Sequence, residues 1–288
     1  MCRKNTSPSP QILPRAPPLP QHLREDTNDD NINGENADGR PPADFVIAGA
    51  GIVGLVLALA LRTHVGVVAE VYDSAEEFRD DVGAGMGMYP NGLRVMRDIG
   101  IDLFRSVVGG GYPYLYRRWD RHDGTEATVA KEVALSKEGG GSAGGGELRS
   151  FGIRRYRLQR ELHDAAVGLG VSIRFGKRVS GVVKGDGEDG IVRVSFEDGT
   201  ERLTRVLFGA DGCRSAVRES VAGDAHRLRY TGVTCLIVIA DVPRRDQGIC
   251  FPASSTTGCH AVFFPTGASE QCFQFHFPVP ADRSDRGV

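Results

Sequence analysis

The sequence predicts an α/β protein in two interleaved parts, and three observations carry that prediction. The apolar run Asp44-Phe45-Val46-Ile47-Ala48 leads directly into Gly49-Ala50-Gly51-Ile52-Val53-Gly54 and an apolar helix to Leu61, which is strand, glycine turn and helix in immediate succession. Far downstream, Val206-Leu207-Phe208 ends in Gly209-Ala210-Asp211-Gly212, a second buried strand that stops at a glycine turn before a helix. Between them, Tyr112 to Asp120 is aromatic and basic (Tyr112, Tyr114, Tyr116, Arg117, Arg118, Trp119), a pattern suited to a strand of a different sheet. Residues 44–111 and 151–224 therefore form one part, and residues 112–150 and 225–288 the other.

The elements follow in order. Residues 1–43 are rich in Pro, Asn, Asp and Gly and lack the apolar surface needed to order themselves, so they read as a disordered tail. Arg3, Lys4 and Arg15 lie there, but the prolines break any amphipathic targeting helix. After the first helix, Val67 to Tyr72 reads as a second strand. Gly83 to Gly87 reads as a glycine-rich turn, and Pro90-Asn91 opens a helix that stops at Gly100. Gly139 to Gly146 is a flexible run without the Lys-Ser/Thr of a phosphate loop, hence a surface insertion. A helix from Tyr156 to Val167 precedes strands at Val171–Phe175, Val179–Lys184 and Ile191–Phe196, with Asp198-Gly199 as a hairpin turn. Ser215 to Val221 reads as helix, and Gly232–Asp241, His260–Phe264 and Cys272–Phe277 as closing strands.

Composition excludes several function classes. The 288 residues carry a formal charge of −2, with neither a basic field for nucleic acid nor an acidic tail, which leaves a small-molecule partner as the expectation. The six cysteines (Cys2, Cys213, Cys235, Cys250, Cys259, Cys272) have no C-x-x-C pair and no disulfide-framework spacing, and read as reduced thiols of a cytoplasmic protein. The longest apolar stretch, Phe45 to Leu61, is shorter than the roughly 20 residues that span a bilayer. The scattered histidines and the adjacent His163-Asp164 supply neither a metal site nor a nucleophile's base, so no metal is expected.

The first glycine motif has a direct chemical reading. Gly49 makes the tight turn, Gly51 lets backbone approach a pyrophosphate, and Gly54 permits close helix packing. The N-terminus of the helix that follows presents free N–H groups and the positive end of its dipole to the anion. Ala50 and Val53 belong to the same set. An acidic residue should follow at the end of the second strand to hold a ribose; Asp73 sits there, with Glu70, inside the strand, as its rival.

On these residues the chain resembles the class A flavoprotein monooxygenases, the family of the hydroxybenzoate and salicylate hydroxylases, and is most similar to fungal members. The resemblance covers residues 44–288. It rests on Gly49 to Gly54 with Asp73, where the family more often has Glu, and on Gly83-Ala84-Gly85-Met86-Gly87 with Pro90-Asn91-Gly92. Arg155-x-x-Leu158-x-x-x-Leu162 and Asp211-Gly212-x-x-Ser215-x-x-Arg218 complete it. It implies a Rossmann-like FAD-binding domain interleaved with a β-sheet substrate domain. FAD would contact Gly49, Ala50, Gly51, Val53, Gly54, Asp73, Gly85, Gly87, Arg155 and Asp211. Glycines at 83, 85 and 87 remove side chains where a flat ring or ribityl chain lies against backbone, and Arg155 offers a donor fork to phosphate, with Arg154, Arg157 and Arg160 as competitors for that role. For Asp211 the resemblance implies a dual role, in FAD binding and in the path of NAD(P)H.

The implied activity is monooxygenation: NAD(P)H reduces the flavin, and O2 supplies one atom for hydroxylation or epoxidation of a small aromatic or polycyclic substrate. The protein's part is to bind, orient and exclude water, so no catalytic acid or base is assigned. Tyr114, Trp119, Phe263 and Phe275 are as well suited to a core as to a pocket. One departure is plain. The family's Gly-Asp fingerprint follows the middle sheet, whereas Gly223-Asp224-Ala225-His226 comes directly after the helix at Ser215, so the true element is expected beyond Val288 and the fold is expected to be incomplete at the C-terminus. A non-catalytic flavin- or nucleotide-binding module and an NAD-dependent dehydrogenase remain as alternatives. Oligomeric state is left open.

Overall fold

The computed structural model describes residues 39–79, 83–101, 115–119, 133–134, 151–185, 190–223, 228–242, 250–252, 258–267 and 269–279. The tail to residue 38, the glycine run at 139–146 and Asp224 to His226 lie outside them.

The first sheet is built around β1 (Ala43–Ala48). It pairs in parallel with β2 (Glu70–Tyr72) on one side and with β10 (Glu201–Gly209) on the other, through Ile47↔Val71 and Ile47↔Phe208. The half of β1 that is flanked on both edges and covered on both faces is apolar, as such a position requires: Val46, Ile47 and Ala48 are at most 1% exposed. β7 (Ser172–Arg174), β8 (Val179–Lys184) and β9 (Val192–Phe196) complete the order β7-β2-β1-β10-β9-β8. The four strands from β7 to β10 are parallel; β9 and β8 are antiparallel.

Helices α1 (Ile52–Ala60), α2 (Pro90–Asp98) and α3 (Arg155–Gly168) contribute Leu55, Leu59, Leu93, Leu158 and Leu162 to a core against Ile47 and Val71. The opposite face buries Val46, Tyr72, Val194 and Phe196 with Val217 of α4 (Ala216–Ala222). The α/β class and Rossmann-like layer read from the sequence are thus present.

The second sheet runs β11-β14-β13-β12-β4-β5, from β11 (Val233–Asp241), β14 (Glu270–Pro278), β13 (His260–Pro265), β12 (Cys250–Pro252), β4 (Leu115–Trp119) and β5 (Val133–Ala134). Between the sheets lies a two-stranded ribbon, β3 (Gly85–Met88) antiparallel to β6 (Phe151–Arg154). Its inner face sends Ile153 and Met88 into the first core. Its outer face is nearly bare: a Cβ on Gly85 would lie 2.6 Å from the Cys272 Cβ, and one on Gly152 would lie 2.0 Å from the Pro265 carbonyl oxygen.

Four expectations need correction. Gly85 to Gly87 is strand rather than turn, because its glycines let the ribbon lie flat on the second sheet. The second strand begins at Glu70 rather than Val67. Val67 N–H closes the helix end on Leu61 O (3.3 Å) and so is unavailable to the ladder. The first helix runs past Leu61 as a wider turn, Leu61–Val65, ended by Gly66 at φ 82°. The strand read at 206–208 spans Glu201–Gly209, since its first half pairs with β9 and its second with β1. Its polar residues had hidden that first half. Arg202, 5% exposed, is held by Glu70 (2.6 and 3.0 Å) and Pro41 O (2.6 Å); Thr204 Oγ1 donates to Ala43 O (3.0 Å).

Candidate dinucleotide-binding site

A cavity of about 480 Å³ opens at the carboxyl ends of the parallel strands, where doubly wound sheets bind their ligands. Gly49, Gly51, Asp73, Arg155, Gln159, Lys177, Arg178, Glu197, Ala210, Asp211 and Arg214 are among its lining residues.

The glycine turn explains its own spacing. Gly49 has φ 107°, its N–H donates to Tyr72 O (2.6 Å), and a Cβ there would lie 2.4 Å from Ala210 O. A Cβ on Gly54 would lie 1.9 Å from Gly49 O, so this glycine packs the helix against the turn itself as well as the strand. A Cβ on Gly51 would meet no atom within 4 Å, and Gly51 lines the cavity. Gly51 is also the residue from which α1 starts, with no side-chain cap, leaving the first-turn N–H groups for a ligand. Val53, in that first turn, is 70% exposed.

Asp73 stands at the end of β2 and lines the cavity, but it already has work. Its Oδ2 accepts the Ala50 N–H (2.6 Å) and its Oδ1 the Ala75 N–H (2.8 Å), tying the glycine turn to the strand end. Each oxygen retains acceptor capacity for a hydroxyl. Its rival Glu70 is not among the residues lining the cavity. Burial pushes the Glu70 carboxyl up, but hydrogen bonds from Arg202 and Tyr72 and the Arg202 charge outweigh it and hold the group below its ordinary range. Burial and Glu70 push the Tyr72 phenol up to about 12.

Asp211 follows β10. Its Oδ2 accepts the Val217 N–H (3.2 Å), while Oδ1 is buried without a hydrogen-bond partner at the cavity wall. Ser215 caps α4, accepting from Arg218 N (2.9 Å), and Arg218 donates to Cys213 O (2.5 Å). The Asp-Gly segment is therefore a folded cap with one carboxylate oxygen left over.

Of the four cations on the cavity wall, Lys177 is held by Asp198 and Thr200, and Arg178 pairs with Glu197 at 3.5 Å. Among the described residues, Arg155 and Arg214 have no ion-pair partner. Two uncommitted guanidiniums, a bare helix start and an unpartnered carboxylate oxygen fit a ligand with an anionic centre and hydroxyl or N–H donors, as in a dinucleotide.

Gly85 and Gly87 lie on the ribbon, outside the cavity lining, and are linked to it by Gly83, which packs on the Arg155 Cβ (3.2 Å from a Cβ placed there). Gln159, Lys177, Arg178 and Arg214 escaped sequence reasoning; for Arg214 the only signal was its place inside the Asp-Gly segment. Phe263 packs on both Phe273 and Phe275, on the sheet face turned away from the ribbon. Tyr114 lies outside the described residues, and among these no helix is long and apolar enough to cross a membrane.

Residues 43–286 match the FAD binding domain family. The FAD-dependent urate hydroxylase of Klebsiella pneumoniae is 30% identical over 240 residues, covering 82% of this chain and 58% of that protein. The 6-hydroxynicotinate 3-monooxygenase of Bordetella bronchiseptica is 29% identical, covering 84% and 60%. A solved Klebsiella pneumoniae HpxO variant complexed with FAD superposes with a TM-score of 0.67 at 25% identity, covering 84% of this chain and 59% of that one. The chain thus spans rather less than two thirds of the length of these relatives.

Proposed function

This chain belongs to the FAD binding domain family of flavin-dependent monooxygenases, and from that premise we propose that its cavity holds FAD for NAD(P)H- and O2-dependent oxygenation of a small aromatic or polycyclic substrate. The observation that carries the reading is the cavity wall: Gly51 open to it, α1 starting there uncapped, and Asp211 Oδ1 unpartnered. Under this reading Gly49, Ala50, Gly51, Val53 and Gly54 shape the pyrophosphate seat, Arg155 meets the phosphates, Asp73 holds the ribose, and Asp211 accepts from the ribityl side. Gly85 and Gly87 keep side chains away from the ring.

When bound, FAD supplies hydride acceptance from NAD(P)H and oxygen activation. The chain's own residues do the rest. The α1 N-terminus and Arg155 neutralise the diphosphate, Asp73 fixes one end through the same carboxylate that ties the turn, and the second sheet covers the ribbon against water. The relatives' names point to hydroxylated nitrogen heteroaromatics as substrates, and hydroxylation of such a ring is the form of the activity we favour. The free thiols Cys213, Cys235, Cys259 and Cys272 suit a cytoplasmic location. The test is substrate-dependent NAD(P)H consumption with the oxygenated product detected by mass. Oxygenated product is expected; consumption that yields only peroxide with every heteroaromatic tried would reject the substrate class.

A further inference from the structure

Two neighbouring arginines at the junction of β6 and α3 serve opposite sides of the molecule. Arg155 lines the cavity, and its N–H donates to Ala84 O (2.9 Å). Arg154 pairs in register with Gly85 and shares its ribbon face, the one pressed against the second sheet. There its Nη1 donates to Glu270 Oε2 (3.3 Å), its guanidinium lies 5.3 Å from the Tyr156 ring centroid, and its side chain is 15% exposed. Glu270 is fixed in turn. Its Oε1 accepts from Thr266 Oγ1 (2.7 Å), and its carbonyl accepts the N–H groups of Thr266 (2.9 Å) and Gly267 (3.3 Å), closing the β13–β14 hairpin. Gln274 Nε2 adds a bond to Gly85 O (3.2 Å).

We propose that this Arg154–Glu270–Thr266 clasp positions Arg155 for the anionic centre of the bound cofactor, so that Glu270, on the substrate-side sheet, is a positioning residue of the flavin site. The inference rests on the reading that the cavity takes FAD. Its physical basis is a lever one peptide long. Arg155 is exposed and unpartnered, so its backbone fixes where its fork begins, and that backbone is held by Ala84 on one side and by the clasped Arg154 on the other. Loosening the clasp lets the ribbon end and Arg155 shift together, while the first core, which contains neither Arg154 nor Glu270, stays intact.

The experiment is a double-mutant cycle on FAD affinity, read by flavin fluorescence, with Glu270→Gln, Arg155→Met and the pair. Glu270→Gln is expected to weaken FAD about tenfold in the parent and less than about twofold in the Arg155→Met background, because the clasp acts through Arg155. Thr266→Val, which removes one hydroxyl bond, should show the same pattern at about threefold if Glu270→Gln folds poorly. Glu201→Gln, at the exposed pair with Arg193, should leave affinity unchanged. Equal losses in both backgrounds, or no loss, overturn the proposal. A parent chain that binds no FAD sinks the proposed function instead. The clasp is then decided by hydrogen exchange at the Arg155 amide: about tenfold faster exchange in Glu270→Gln supports it, and an unchanged rate overturns it.

Discussion

At the residue scale, Asp73 illustrates how one carboxylate can be both scaffold and ligand. Its bonds to Ala50 N and Ala75 N hold the turn, and its remaining lone pairs face the cavity. Asp73→Asn keeps one acceptor oxygen, enough for the Ala50 N–H but not for the Ala75 N–H as well, and loses the charge, so FAD affinity should fall by about 1.5 kcal/mol, near tenfold, with a smaller fall in thermal midpoint than Asp73→Ala causes. Asp73→Ala should lose affinity and midpoint together. Equal midpoints for the two variants would show that the tie to Ala50 does not hold the turn. Glu70 makes the contrast. It is joined to the 5%-exposed Arg202, so Glu70→Gln should cost about 3 kcal/mol of stability while leaving the FAD affinity of the folded fraction alone. Because the folded Glu70 carboxyl is held below its ordinary range, its contribution is present above the unfolded value and is lost as pH falls through the folded one. The stability gap between parent and Glu70→Gln should therefore close on acidification below about pH 4, as denaturant titrations across pH would register. Sequence position alone favoured Asp73 over Glu70, because it lay at the strand end. The partnership of Glu70 with Arg202 was not legible, since it joins residues far apart in the chain.

At the element scale, the glycine turn separates a folding role from a binding role. Gly54→Ala drives a methyl into Gly49 O and should cost about 1–3 kcal/mol, seen as a lower urea midpoint. Gly51→Ala meets no protein atom within 4 Å and should leave that midpoint in place while weakening FAD, because the methyl projects into open space at the cavity wall. If both variants lost stability equally, the division of labour within the turn would be wrong. The strand, turn and α1 were legible because periodicity and glycine spacing are local signals. The β3–β6 ribbon was not. Gly85 and Gly152 are needed by strands formed more than a hundred residues later, so Gly83 to Gly87 read as a glycine-rich turn rather than as a strand. β10 was half hidden for a similar reason. Arg202 and Thr204 break its apolar pattern, and only the tertiary partners Glu70, Pro41 and Ala43 make their burial affordable.

At the scale of the whole molecule, a parallel-stranded layer presents the cavity, a glycine-faced ribbon leaves it, and a second sheet rests on that ribbon through Cys272, Pro265, Gln274 and the Arg154–Glu270 pair. Binding of the anionic end and covering of the ribbon are thereby coupled through the β6–α3 junction. The first sheet's strands come from residues 43–48, 70–72, 172–174 and 179–209, and the second's from 115–134 and 233–278, so the chain leaves the first layer and returns before building most of the second. The central claim is that the cavity at the glycine turn takes FAD, and equilibrium titration of the purified chain with FAD, followed by flavin absorbance, tests it most directly. The account predicts saturable binding of one FAD per chain, weakened by Gly51→Ala and by Asp73→Asn. Binding of NADH at this cavity with no uptake of FAD would contradict it and would make the glycine turn the seat of a nicotinamide dinucleotide instead.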